Sequence, residues 1–130
     1  MQPEIISPGS VHSTAGVGYS HVARAGDTLY IAGQVPLDRQ GRIVGEGDAE
    51  AQVRQVYANL RAILEELGCS MRDIVKTTTY LTSREHLDAF RRVRNEVLRE
   101  PFPPNTLIFV AGLARPEYLV EIEAIAVQRR

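Results

Sequence analysis

The sequence predicts an α+β fold in which two helices cover one face of a single mixed sheet. Two stretches carry apolar residues at helical spacing, and runs rich in β-branched residues lie before, between and after them. The elements follow the order strand pair, helix, strand, helix and two further strands. This order is typical of one sheet with its helices on the same side.

The first helix is the most strongly patterned element. Asp48 is suited to cap its start, and Gly68 is suited to end it. Its apolar side chains recur every three or four positions and predict one buried face. They are Val53, Val56, Tyr57, Leu60, Ile63, Leu64 and Leu67.

The second helix is expected over about 84–99. Thr82 and Glu85 have the spacing of a capping box, and Pro101 cannot continue a helix. The apolar stripe consists of Leu87, Phe90, Val93 and Val97.

The strands are predicted from β-branched content and turn residues. Gly26 and Asp27 form a turn between the first two, and the segment 37–43 reads as a further turn or hairpin around Gly41. Residues 1–18, rich in Gly, Ser and Pro, are expected to run over the surface or cover a cleft. The strands are expected at 19–24, 28–34, 74–81, 106–112 and 119–128.

The last two strands are apolar on both sides, which two helices cannot cover. A second layer must protect the other face, and the simplest one is another copy of the chain. The sequence therefore predicts an oligomer.

Composition restricts the function. The 130 residues are expected to form one domain, 1–130, with 44% apolar and 24% charged residues. A formal net charge of −1 gives no reason to expect a nucleic-acid or membrane partner.

Cys69 is the only cysteine, so no intrachain disulfide can form, and the start lacks the pattern of a signal peptide. We expect a cytoplasmic protein. The three histidines lack the spacing of a metal site.

Four segments resemble the RidA family, also called YjgF, YER057c or UK114. They are Gly18-Tyr19-Ser20, Ala32-Gly33-Gln34-Val35-Pro36, the run from Phe102 to Val110, and the run from Val120 to Ala126. The resemblance implies a chorismate-mutase-like barrel of three subunits with active sites in the clefts between them. It also implies hydrolytic deamination of small imines or enamines without a cofactor.

The resemblance also assigns roles to individual residues. Glu121 would orient the water that attacks the imine carbon, and the backbone N–H of Gly33 would bind the substrate. Tyr19 would form a wall over it, although a strand-edge aromatic has the same pattern. Asn105 stands where typical members hold the substrate carboxylate with an arginine, and asparagine brings no charge.

Two further residues are candidates for substrate binding. Thr106 offers a hydroxyl and a backbone N–H next to Asn105. The resemblance places Arg91 near the pocket, where it would return a positive charge, but Arg91, Arg92 and Arg94 fit a solvated helix face better. A glycine at position 33 also fits a bulge or close packing within a strand.

The sequence thus predicts a RidA-like enamine or imine deaminase with a non-standard substrate. The alternative is a non-catalytic protein that binds a small metabolite or acts in a regulatory or chaperone-like role. A ribonuclease is disfavoured by the net charge and by the absence of a dense basic stripe.

Overall fold

A computed structural model describes residues 2–129 of the chain. It contains one six-stranded sheet in the order β1-β2-β3-β6-β4-β5, and both helices lie on the same face of this sheet. The predicted α+β class is confirmed. The strands are β1 (Glu4–Ile6), β2 (Val22–Ala25), β3 (Thr28–Gln34), β4 (Ile74–Leu81), β5 (Asn105–Phe109) and β6 (Val120–Val127), and the helices are α1 (Ala49–Glu66) and α2 (Leu87–Val97).

Helix α1 has the ends that the sequence predicts. The Asp48 side chain accepts a hydrogen bond from the backbone N–H of Ala51. At the other end Gly68 has a φ of +78°, and the N–H of Cys69 bonds to the carbonyl of Leu64. This 6→1 bond belongs to a Schellman motif, in which glycine adopts the left-handed backbone without a Cβ clash.

The start of the second helical segment differs from the prediction. Ser83, and not Thr82, accepts the capping bond, from the N–H of Glu85. One turn of 3-10 helix covers Arg84–His86, and α2 then runs from Leu87 to Val97. The predicted N-cap was therefore placed one residue too early, and Ser83 caps this segment through a single side-chain bond.

The sheet is antiparallel except for one pair. β4 and β5 run parallel, with Thr77 opposite Asn105, and β5 is an edge strand. β2 and β3 form the predicted hairpin, with a positive φ at Gly26. The amino-terminal stretch is more ordered than expected, because β1 pairs with β2. The predicted hairpin around Gly41 is also present, with a bridge between Leu37 and Ile43.

The core lies between the sheet and the helices. On β6 the buried set, Val120, Ile122, Ala124 and Ala126, packs with the apolar face of α1. Glu121, Glu123 and Ile125 point to the opposite face, which no helix covers among the described residues. Within 2–129 no helix is long and apolar enough to cross a membrane.

Candidate functional site

Glu121 lies against Gly33 on the uncovered face of the sheet. The pairing of β3 with β6 shifts register between Ile31 and Gln34, which marks a bulge containing Gly33. A Cβ built on Gly33 would lie 2.7 Å from Cδ and 2.8 Å from Cγ of Glu121. Only glycine leaves room for this carboxylate, so the bulge and the close approach that the sequence left open are both present.

The surroundings of Glu121 favour its protonated form. Burial of the side chain raises the pKa of the Glu121 carboxyl, and the negative charge of Glu123 raises it further. Tyr19 is 44% exposed, and its partial burial, followed by the charge of Glu121, raises the pKa of its phenol. Tyr19 and Glu121 therefore belong to one electrostatic group.

Glu123 is engaged by a neighbouring strand. The Tyr80 hydroxyl donates to Oε1 of Glu123 at 2.5 Å, and this bond raises the pKa of Tyr80 to about 12. Tyr80 stands opposite Glu121 in the β4–β6 register, so all three side chains share one face. Glu123 has a fixed partner in Tyr80, while Glu121 accepts no hydrogen bond from any described side chain.

Asn105 lies on the other face of the sheet. Its Oδ1 accepts hydrogen bonds from the hydroxyl of Thr77 at 2.8 Å and from that of Thr79 at 2.9 Å. Both threonines are buried on the helix-covered face, and the residue opposite Thr79 on β6 is Ile122, a member of the core. Asn105 itself is exposed, because β5 is the edge of the sheet.

One chain does not bring Asn105 and Glu121 together. Since they project from opposite faces of the sheet, no small ligand can contact both side chains of the same copy. The predicted cleft containing both residues therefore requires a second copy of the chain.

The hydroxyl of Thr106 accepts a hydrogen bond from a lysine side chain. The Lys76 ammonium donates to Oγ1 of Thr106 at 2.7 Å and to the carbonyl of Thr77 at 3.0 Å. Lys76 precedes Thr77 in β4 and, like Thr106, projects from the uncovered face. The sequence analysis did not single out this lysine.

Arg91 is exposed on α2 and makes no hydrogen bond or ion pair within the described part of the chain. Its neighbour Arg92 bonds to Glu50. Arg94 stacks over the rings of Phe90 and Phe102, at 5.6 and 5.8 Å from their centroids. Arg92 and Arg94 thus contact α1 and apolar rings, while Arg91 faces solvent on the same helix.

A concave region lies under the amino-terminal segment. It has a volume of about 890 Å³ and is lined in part by His12, His21 and Tyr19. Nε2 of His21 lies 2.8 Å from the carbonyl of His12, and Nδ1 of His21 lies 3.0 Å from Nε2 of Gln34. Neither ring nitrogen of the buried His12 has a partner among residues 2–129. Burial and then the neighbouring His21 lower the pKa of His12.

No cluster of three or more His, Cys, Asp or Glu side chains in the described range could hold a metal ion. Cys69 is a buried free thiol whose pKa is raised by burial and by Asp73. This environment disfavours the thiolate and a nucleophilic role.

Comparison with known proteins agrees with this architecture. The family model described as Endoribonuclease L-PSP matches residues 11–128. A RutC family protein of Pyrococcus horikoshii is 39% identical over 108 residues, which cover 83% of this chain and 85% of the relative. The chain belongs to this family, which includes the RidA (YjgF) proteins.

Two further members illustrate its range. RidA from an Antarctic Psychrobacter has a TM-score of 0.87 and 31% identity, covering 95% of this chain and 98% of that structure. A protein of Dermatophagoides farinae named 2-iminobutanoate/2-iminopropanoate deaminase is 29% identical over 84% of each chain.

Proposed function

We propose that this RidA family member hydrolyses a small imine or enamine in a cleft between copies of a homotrimer, with Glu121 as the residue that activates water. The proposal depends chiefly on the partly buried carboxylate of Glu121. It packs against Gly33, and its pKa is raised by burial and by Glu123, which suits a group that both takes and returns a proton.

The proposed reaction uses a water molecule, the imine and the carboxylate of Glu121. Water attacks the carbon of the C=N bond while Glu121 accepts a proton from that water. Glu121 then returns this proton to the nitrogen. As the C–N bond breaks, Glu121 takes the proton of the new hydroxyl group, so that ammonia and a carbonyl compound leave, and that last proton passes to the solvent. A protonated imine is already electrophilic, so positioning and one acid–base group suffice and no cofactor is required.

The remaining candidates have supporting roles. The backbone N–H of Gly33 would bind the substrate beside the catalytic carboxylate. Tyr19 would cover the substrate from the same side. Burial raises the pKa of its phenol, and the charge of the nearby Glu121 raises it further. From a second copy, Asn105 would reach the cleft along the edge strand β5 with its side chain, and the adjacent Thr106 with its backbone N–H. Arg91 would contribute only if assembly brings α2 to the cleft.

A non-catalytic metabolite-binding protein is the second candidate. It is favoured by Asn105, which replaces a charged clamp with a neutral amide held by Thr77 and Thr79. Loss of a charged bidentate partner costs on the order of 2–5 kcal/mol in other complexes. A site can keep its shape and lose turnover when such a group is gone. A ribonuclease is a weaker candidate, because the net charge of −1 offers little attraction for phosphates.

Imines generated in situ from amino acids test the proposal, with their disappearance followed by trapping. The panel contains 2-iminopropanoate, 2-iminobutanoate and neutral imines of similar size. We expect the wild-type chain to accelerate hydrolysis of at least one of them, and Glu121→Gln to abolish that acceleration. Glu123→Gln is the matched control and should retain activity, because its partner Tyr80 can donate equally well to an amide oxygen. A wild-type protein that accelerates none of these imines would favour the binding role.

A further inference from the structure

The side chain of Asn105 is held in one orientation by two buried hydroxyls. Thr77 is 3% exposed and Thr79 is fully buried, and both donate to the same Oδ1 atom. Parallel pairing fixes Thr77 directly opposite Asn105, so this arrangement is set by the backbone register. With both acceptor positions of Oδ1 filled, the amide nitrogen must face away from the sheet, toward solvent.

The group that Asn105 offers to a ligand is therefore an NH₂ donor without charge. Nδ2 makes no hydrogen bond to any residue within 2–129. Its two N–H groups suit a carbonyl oxygen, which accepts hydrogen bonds and loses little hydration when buried. A carboxylate is much more strongly hydrated, and a neutral amide does not compensate for removing it from water.

Cations near this edge of the sheet are already engaged. At the far end of β5, the Arg84 guanidinium lies 4.7 Å from the centroid of the Phe109 ring. Before β5, Arg94 stacks on Phe102. Lys76 projects from the opposite face, where Thr106 holds it. None of the three is hydrogen-bonded to Asn105, so the Asn105 side chain itself brings no charge to a ligand.

We propose that Thr77, Thr79 and Asn105 form a subsite for a neutral carbonyl oxygen, and that the ligand is an imine or enamine bearing an amide or ester in place of a free carboxylate. Asn105 would contact the ligand, and the two threonines would hold the Asn105 side chain in the orientation that this contact needs. This inference rests on the proposed function for the nature of the reacting C=N group, but the recognition step is separate from turnover.

Two small ketones of nearly equal shape test the subsite. Pyruvamide and pyruvate are the products expected from a neutral and an anionic imine, and they differ mainly in charge. Titration calorimetry on the assembled protein should give at least about tenfold tighter binding of pyruvamide, a difference of about 1.4 kcal/mol. Asn105→Arg should reverse the preference, because it adds a cation that pairs with the carboxylate.

Two threonine variants separate positioning from folding. Thr79→Val removes one hydroxyl that holds Oδ1 and should lower the pyruvamide preference several-fold. Thr78→Val, on the same strand but pointing to the opposite face, should leave the ratio unchanged. Tighter binding of pyruvate by the wild type, or no binding of either ketone, would overturn the inference. Preference for pyruvamide without turnover of any imine would support the subsite and refute only the deaminase proposal.

Discussion

The Glu121 carboxylate fills the space beside Gly33 that any other side chain would occupy. The two residues lie on neighbouring strands, β6 and β3, and the bulge in β3 brings the backbone of Gly33 under the side chain of Glu121. A ligand that accepts a hydrogen bond from the Gly33 N–H would therefore lie next to this carboxylate. The bulge at Gly33 therefore sets the position of the Glu121 carboxylate.

Gly33→Ala tests this relationship. The added methyl overlaps Glu121, so the carboxylate must rotate away, and we expect a loss of at least about tenfold in kcat/KM on whichever imine the wild type hydrolyses. Overpacking of this kind costs roughly 1–3 kcal/mol in stability. Gly112→Ala is the matched control, since a Cβ there meets no atom within 4 Å. Equal activity of the two variants would show that the position of Glu121 is not critical.

The pH dependence of activity should follow Glu121. A base must be deprotonated to accept a proton from water, and burial and Glu123 both raise the pKa of this carboxyl. The rate should thus rise with pH through a value above the usual 4.5 of a glutamic acid, and then level off. Glu123→Gln removes the second cause and should move the midpoint to lower pH. A pH–rate profile of both proteins measures this, and an identical midpoint would contradict the assigned cause.

Assembly is tested by light scattering. The uncovered face carries exposed apolar side chains, among them Tyr30 at 50% and Ile108 at 40% exposure, which a monomer would leave in water. We expect a particle of three times the chain mass of 14.4 kDa at micromolar concentration. Tyr30→Lys should weaken it, while Val17→Lys, in the amino-terminal loop, should not. A compact monomer of the wild type would refute the prediction.

Restoring the arginine should restore the typical activity. We expect the wild type to hydrolyse 2-iminopropanoate slowly, and Asn105→Arg to accelerate it measurably, with Glu121→Gln abolishing the gain in that background. Asn105→Arg leaves the hydroxyls of Thr77 and Thr79 without their acceptor, at a cost of about 1–3 kcal/mol for a buried polar group. The double variant with Thr79→Val should recover part of that stability in a thermal melt. Tighter carboxylate binding without turnover would instead favour the metabolite-binding role.

Acid should destabilise the fold through His12. Burial and His21 lower the pKa of His12 in the folded chain below the usual 6.5 of the unfolded one. The stability from a neutral His12 is thus complete above 6.5 and is lost as the pH falls toward the folded-state pKa. Thermal midpoints between pH 8 and 5 should drop less in His12→Leu than in the wild type. His86→Leu serves as the control and should retain the wild-type drop.

The sequence predicted most of the fold because local signals agreed with it. The apolar face of α1, its cap at Asp48 and its end at Gly68 all recur in the structure, and β4 has the predicted bounds. The missed elements depend on weaker signals. β1 has only three residues and gains its order from pairing with β2, which no local pattern indicates.

The candidate site was predictable only in part. Glu121 was singled out by resemblance alone, and the structure places it on the uncovered face of the sheet beside Gly33. The role of Thr79 was missed, since its threonine-rich strand was interpreted through β-propensity alone. Its contact with Asn105 arises from the parallel register of β4 and β5, a long-range property that a single sequence does not reveal. How the site residues act on a ligand remains a prediction.

The placement of Asn105 and Glu121 on opposite faces has a consequence for mixtures of variants. If each reaction centre combines Asn105 of one copy with Glu121 of another, then two inactive proteins, each altered at one of these positions, can rescue each other. Co-refolding them would create some centres in which both intact residues meet, together with others in which both are altered. Activity regained on mixing, in a fraction fixed by the statistics of assembly, would show that a centre is shared between chains and belongs to neither alone.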